Sequence, residues 1–192
     1  NTNLAPRSKR SVGFNTKNLD EKIADLSITL PTLIIDADGL NLLGKIENWW
    51  ELLPESTIIT PHPGEMARLC DVNTETVQAN RYDLIQEKAQ AWNLHIVLKG
   101  AHTLIATPEG ELFTLPFKND ALATAGTGDV LAGIITGLIA QGLSSCDAAV
   151  CGGYIHGLAG EIATSRHGNG ASVLASDVLD AIAPAFSQIN NA

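Results

Sequence analysis

Ala123-Thr-Ala-Gly-Thr-Gly-Asp129 runs without a break into Val130-Leu-Ala-Gly-Ile-Ile-Thr-Gly-Leu-Ile139, and no other stretch constrains the fold as much. A glycine-rich loop opening directly onto an apolar helix makes an anion site. First-turn N–H groups have no intrahelical acceptor, and the helix dipole favours negative charge beside them. Gly126 and Gly128 let the backbone approach a ligand closely, and Asp129 stands next to the anion. A carboxylate gains nothing from a phosphate there. Its useful role is to take a proton from a hydroxyl that attacks phosphorus. The tetrapeptide alone reads equally well as a tight turn with an acidic first-turn residue. The helix behind it is apolar all round and dotted with Ala132, Gly133, Gly137 and Ala140. It is therefore expected to be packed on every side, which fixes its N-terminus rigidly.

Upstream, short apolar runs alternate with helical spacing. Residues 32–36, 57–60 and 94–98 read as buried strands, the first two parallel. Residues 39–50, 63–70 and 74–93 read as helices, with Pro63 suited to a first turn. Residues 102–107 and 112–115 flank Pro108-Glu-Gly-Glu111 and form a hairpin. Residues 128–141, 145–166 and 176–189 complete the chain as helices. This order specifies an α/β layered fold with parallel crossovers, in which ligands sit beyond the carboxyl ends of the strands. Residues 1–18 are polar and irregular, and Leu19, Ile23, Leu26 and Leu30 have helical spacing. The expected organisation is an N-terminal segment with one helix over 1–30 and a single domain over 31–192.

With 192 residues, 45% of them apolar, such a domain buries a large core without disulfide or metal staples. Twelve Lys and Arg against twenty-one Asp and Glu give a net charge of −9, which argues against nucleic acid as a partner. A small phosphorylated ligand is compatible with that charge, since backbone N–H groups hold phosphate. Cys70, Cys146 and Cys151 are odd in number and form no Cys-x-x-Cys pair, so neither a disulfide framework nor a zinc site is expected and a reducing cytoplasm is the simplest location. No apolar run follows the basic residues Arg7, Lys9 and Arg10. The longest apolar stretch, 130–140, is shorter than the roughly 17 residues of a membrane span, so no membrane partner is expected.

Three further strings fall at strand ends. Asp36-Ala-Asp-Gly-Leu-Asn41 offers two carboxylates and an amide, suited either to a metal held through water or to capping the next helix. Thr60-Pro-His-Pro-Gly-Glu65 places His62 and Glu65 at the ligand edge, although spacing alone favours ordinary capping roles for both. Leu98-Lys-Gly-Ala-His-Thr103 puts Lys99 where it either approaches nucleotide phosphates as a point charge or lies solvated before a turn.

In this order and spacing, the three strings together with Gly126-Thr-Gly-Asp129-Val-Leu-Ala-Gly133 resemble the NAD(P)H-hydrate dehydratase family, the YjeF C-terminal domain. The resemblance covers roughly residues 32–185, and Ala175-Ser-Asp177 looks like the start of the family's last helix. It implies a ribokinase-like α/β/α fold with a mostly parallel sheet. It also implies ADP- or ATP-dependent dehydration of hydrated NADH and NADPH (NADHX and NADPHX), with Mg²⁺ accompanying the phosphoryl donor. By resemblance Asp129 is the catalytic base and the turn Gly126, Thr127, Gly128 cradles the phosphoryl group. His62, Glu65 and Asn41 with Asp129 would contact the hydrated cofactor, and Lys99, Gly100, Ala101, His102, Thr103 with Gly128 would line the adenine nucleotide site. No residue identifies itself as a metal ligand. The family's glycine-rich front has no counterpart beyond Gly13 in Val12-Gly-Phe-Asn-Thr-Lys17. One side of the sheet is therefore expected to lack cover, or to be covered by a partner subunit in a homo-oligomer such as a tetramer. Two other readings stay open: a small-molecule kinase of the same fold, which would leave a stable phosphorylated alcohol, and a nucleotide-binding module without turnover.

Overall fold

Asp36 follows the first of three short parallel strands, Glu65 lies in the helix after the second and Lys99 follows the third, so the sheet brings these residues to one edge. The computed structural model describes residues 30–191. The helix expected over residues 19–30 and the 12–17 segment lie outside them, Leu30 excepted. The strands are β1 (Ile34–Ile35), β2 (Ile58–Ile59), β3 (His95–Leu98), β4 (Leu104–Ala106) and β5 (Leu112–Thr114), hydrogen-bonded in that order. β1, β2 and β3 are parallel, with Ile35 opposite Ile59 and Ile59 opposite Ile96, while β4 runs antiparallel to both β3 and β5. The sheet is thus mostly parallel, with β4 alone reversed. Among the described residues β1 pairs only with β2.

Side chains alternate across this sheet and build two cores. Ile58, Val97 and Ile105 point to one face, against α5 (Thr127–Ala140), α6 (Ser145–His167) and the last helices. Their neighbours Ile59, Ile96, Leu98 and Leu104 point to the other, against α1 (Asp38–Leu43), α2 (Pro63–Cys70), α3 (Thr74–Ala79) and α4 (Arg81–Trp92). This is the three-layer α/β/α arrangement that the family resemblance implies, and it agrees with the α/β layering expected from the strand–helix order.

Three expected helices are interrupted, each for a local reason. The helix expected over 39–50 ends at Gly44, and Asn48 turns left-handed (φ 52°) into a short 3-10 turn at Trp49–Leu52. That break lets Trp49 stack edge-on against Trp92 of α4, ring centroids 4.8 Å apart. The helix expected over 74–93 divides at Asn80, whose side chain donates back to the Thr76 carbonyl. The last one divides at Ala181 into α7 (Ala175–Asp180) and α8 (Ile182–Asn190). Pro184 has no N–H for the turn before it and crowds the carbonyl four residues back. Between β5 and α5 a 3-10 turn at Asp120–Ala123 is held by the Asn119 side chain, and a second at Gly170–Ser172 by Asn169.

The expectation that α5 is packed on every side is corrected. Asp129, Gly133, Thr136 and Ala140, spaced along one stripe, are exposed, and a Cβ added at Gly133 or Gly137 would meet nothing within 4 Å. Small residues allow close packing but do not supply a neighbour. Among the described residues no helix is long and apolar enough to cross a membrane, and the three cysteines are free.

Candidate active site

Gly126 occupies the left-handed region (φ 90°), where a side chain is strained, and lets the chain turn sharply into α5. The turn is then locked from inside. Thr127 is buried, and its hydroxyl donates to the carbonyls of Leu122 and Thr124, both at 2.8 Å. Among the described residues the N–H groups of Gly128 and Asp129 have no protein acceptor. They are the orphan donors that a helix start leaves for an anion.

A cavity of about 210 Å³ opens beside this turn, between the ends of β3 and β5 and the faces of α5 and α6. Of the residues expected at the nucleotide site, Lys99, Gly100, Ala101, Thr103 and Gly128 line it, and of the phosphoryl-cradling turn Thr127 lines it as well. His102 does not. Its backbone is left-handed (φ 54°) and its ring turns toward the Leu115 carbonyl, 3.4 Å from Nδ1. Thr103 closes the loop by donating to the Gly100 carbonyl at 3.2 Å.

Residues that the sequence reading passed over complete the cavity. Phe117, Lys118, Asn119 and Leu122 form one wall, and Gly153, His156 and Gly157 of α6 form the floor. A Cβ at Gly157 would fall inside the Phe117 ring, so glycine is what lets α6 come this close. His156 is 8% exposed and its Nε2 is buried with no partner among the described residues. Burial lowers its pKa to about 4, so the ring is neutral at pH 7. Arg81 at the start of α4 holds the cavity's loop from outside, donating to the Ala101 and His102 carbonyls at 2.9 and 3.4 Å.

The three parallel strands converge on a charged cluster next to the same turn. Asp36 follows β1, Glu65 lies in the first turn of α2 after β2, and Lys99 follows β3. Lys99 Nζ donates to Asp36 Oδ1 at 2.6 Å and lies 3.8 Å from Glu65 Oε2. The capping reading of Asp36 is therefore corrected: the N-cap of α1 is Ala37, without a side-chain bond, and Asp36 Oδ1 is taken by Lys99. Lys99 is likewise held by a partner and not solvated.

His62 and Glu65 form a reciprocal cap on α2. His62 Nδ1 accepts from the N–H groups of Gly64 and Glu65, and Glu65 Oε2 accepts from the His62 N–H at 2.7 Å. The capping geometry leaves the half-exposed His62 ring at the edge of the cluster, with Nε2 3.5 Å from Glu65 Oε1. Asn41 accepts from Arg68 Nε at 2.9 Å, which ties α1 to α2. Asp129 is exposed and lines a different, apolar groove along α5 with Leu179, Ile182 and Phe186. The fold thus links His62, Glu65, Lys99, Asp36 and Gly128 by successive contacts, with Asp129 next in sequence, without enclosing them in one cavity.

Among the described residues no three His, Cys, Asp or Glu side chains converge as a metal site.

The family model for NAD(P)H-hydrate dehydratase (Carb_kinase) matches residues 14–184. The "Bifunctional NAD(P)H-hydrate repair enzyme Nnr" of Moorella thermoacetica is 42% identical over 147 residues, covering 77% of this chain and 28% of that protein. A crystal structure of the ADP/ATP-dependent NAD(P)H-hydrate dehydratase from Bacillus subtilis, co-crystallized with ATP/Mg²⁺ and soaked with CoA, superposes with a TM-score of 0.75 at 31% identity. The match covers 88% of this chain and 60% of that one. A ribokinase-like superfamily protein from Enterococcus faecalis V583 gives a TM-score of 0.68 at 28% identity, over 90% of this chain and 58% of that one. The expected ribokinase-like α/β fold is borne out, and the chain spans less than two thirds of the length of each of these proteins.

Proposed function

The chain belongs to the NAD(P)H-hydrate dehydratase family, and we propose that it uses an adenine nucleotide, ADP or ATP, to drive dehydration of NADHX and NADPHX. The observation that carries this reading is the juxtaposition of the cavity beside Lys99–Thr103 with the two unpaired N–H groups at the start of α5. A planar base sliding between the Phe117 wall and the α6 floor would direct its phosphates toward Gly128. The ADP/ATP-dependence named for the Bacillus subtilis relative supports the choice of nucleotide.

Hydroxide is a poor leaving group. The hydroxyl of the hydrated ring attacks the terminal phosphorus of the nucleotide, and the bond to the departing nucleotide breaks. The ring carbon then loses phosphate and its neighbour loses a proton, which restores the ring double bond. Asp129 accepts the hydroxyl proton at the first step, and the N–H groups of Gly128 and Asp129 hold the charge that builds on the phosphoryl oxygens. Asp129 is suited to this by its exposure: a base must reach a substrate that arrives from outside the nucleotide cavity. His62 and Glu65 at the α2 cap, with Asn41 of α1, would contact the hydrated cofactor. Mg²⁺ would enter chelated by the nucleotide phosphates, where such an ion withdraws charge from the transferring group.

Chemically hydrated NADH supplied with ADP, ATP or no nucleotide tests the reading. Recovery of reduced-ring absorbance is expected only when a nucleotide is present. Accumulation of a stable phosphorylated alcohol would instead make the protein a kinase, and tight ADP binding without turnover would make it a binding module.

A further inference from the structure

We propose that Asp36 is a positioning residue for the phosphoryl site, acting by holding the Lys99 ammonium against the Gly128 end of α5. The inference rests on the functional reading above, because it takes the start of α5 to receive phosphate. A lysine ammonium rides on a flexible four-carbon stem and finds no fixed place without a partner. Here the partner is specific. Asp36 Oδ1 accepts from Nζ at 2.6 Å, while its second oxygen faces α5: a Cβ built on Gly128 would stand 3.3 Å from Asp36 Oδ2 and 3.3 Å from Lys99 Nζ. The ion pair therefore lies directly against the peptide whose N–H is free.

The charge balance gives the pairing its purpose. Asp36 and Glu65 side chains are 11% and 6% exposed, and two nearly buried carboxylates would repel an incoming phosphate. Glu65 is already committed to the His62 N–H at 2.7 Å and lies 3.8 Å from Nζ, so it does not fix where the ammonium sits. Asp36 does. With one N–H given to Asp36, the ammonium keeps two donors for a phosphoryl oxygen at Gly128. It also cancels the carboxylate that holds it. Asp36 touches neither nucleotide nor dinucleotide and acts through Lys99 alone.

Calorimetric titration with ADP and steady-state turnover of NADHX test this on wild type, Asp36→Asn, Lys99→Gln and the double variant; each single change removes one charge of the pair, and only the double variant leaves both side chains neutral. Each single variant is expected to weaken ADP binding about tenfold and to lower kcat more than it raises the KM for NADHX. The double variant is expected to be no weaker than Lys99→Gln, since Asp36 has nothing left to position. Asp36→Glu, which keeps the charge, is expected to recover most of the lost affinity. Losses that multiply to about a hundredfold in the double variant would overturn the inference while leaving the function intact. A wild-type protein that binds no ADP would overturn the functional reading and this inference together.

Discussion

Two adjacent residues carry different parts of the proposed chemistry, and substitution separates them. Asp129→Ala removes the proton acceptor and leaves both free N–H groups, so kcat is expected to fall by about a hundredfold to ten-thousandfold with ADP affinity nearly unchanged. An equal loss of affinity would mean that the carboxylate organises the turn instead. Gly128→Ala does the reverse. Its Cβ would press on the Lys99–Asp36 pair at 3.3 Å, so ADP affinity is expected to drop about tenfold. Folding stability should move by no more than about 1 kcal/mol, because alanine's better helix propensity offsets the crowding. These residues were legible in the sequence as a glycine-rich turn before an apolar helix. The Asp36–Lys99 pairing was not, since 63 positions separate the partners and only the adjacency of β1, β2 and β3 brings them together. His156 was also missed: a histidine inside a long helix carries no local signal, and its place on the cavity floor follows from α6 crossing the sheet.

At the scale of elements, the cavity exists because α6 approaches the sheet through glycines and because α4 clamps the loop after β3. Gly157→Ala forces a methyl group into Phe117 and is expected to cost about 1–3 kcal/mol, read as a lower denaturant midpoint with an unchanged slope. Arg81→Leu removes two donors from the Ala101 and His102 carbonyls and should raise the KM for nucleotide while leaving the KM for NADHX alone. Both kinetic constants rising together would show that the loop serves both substrates. Element identity was read well where period and punctuation agreed, as at Pro63 for α2 and at the Pro108–Glu111 hairpin turn. It was read too long where a tertiary contact won over spacing: Trp49 leaves the helical path to stack on Trp92. The face of α5 was misjudged because glycine, alanine and threonine are equally at home against a neighbour or beside an open groove.

For the whole molecule, acid should destabilise the fold through its buried histidines. His156 has a folded pKa of about 4 against an ordinary 6.5, because burial outweighs the opposing Thr127 backbone and the Lys99 charge adds to the lowering, and burial pushes His95 in the same direction. The unfolded chain binds these protons first, so stability is full above about pH 6.5 and declines as pH falls toward 4. For His156 the loss amounts to about 3 kcal/mol at most. Urea unfolding between pH 7 and pH 4.5 should show this decline, and His156→Gln should flatten it. An unchanged slope in that variant would place the acid sensitivity elsewhere.

The most direct measurement of the central claim follows one sample of NADHX and ADP simultaneously by phosphorus NMR and by reduced-ring absorbance. One inorganic phosphate and one AMP are expected for every ring recovered, with neither signal changing when ADP is withheld. Ring recovery that proceeds equally without nucleotide, or nucleotide consumed while the ring stays hydrated, would contradict the account.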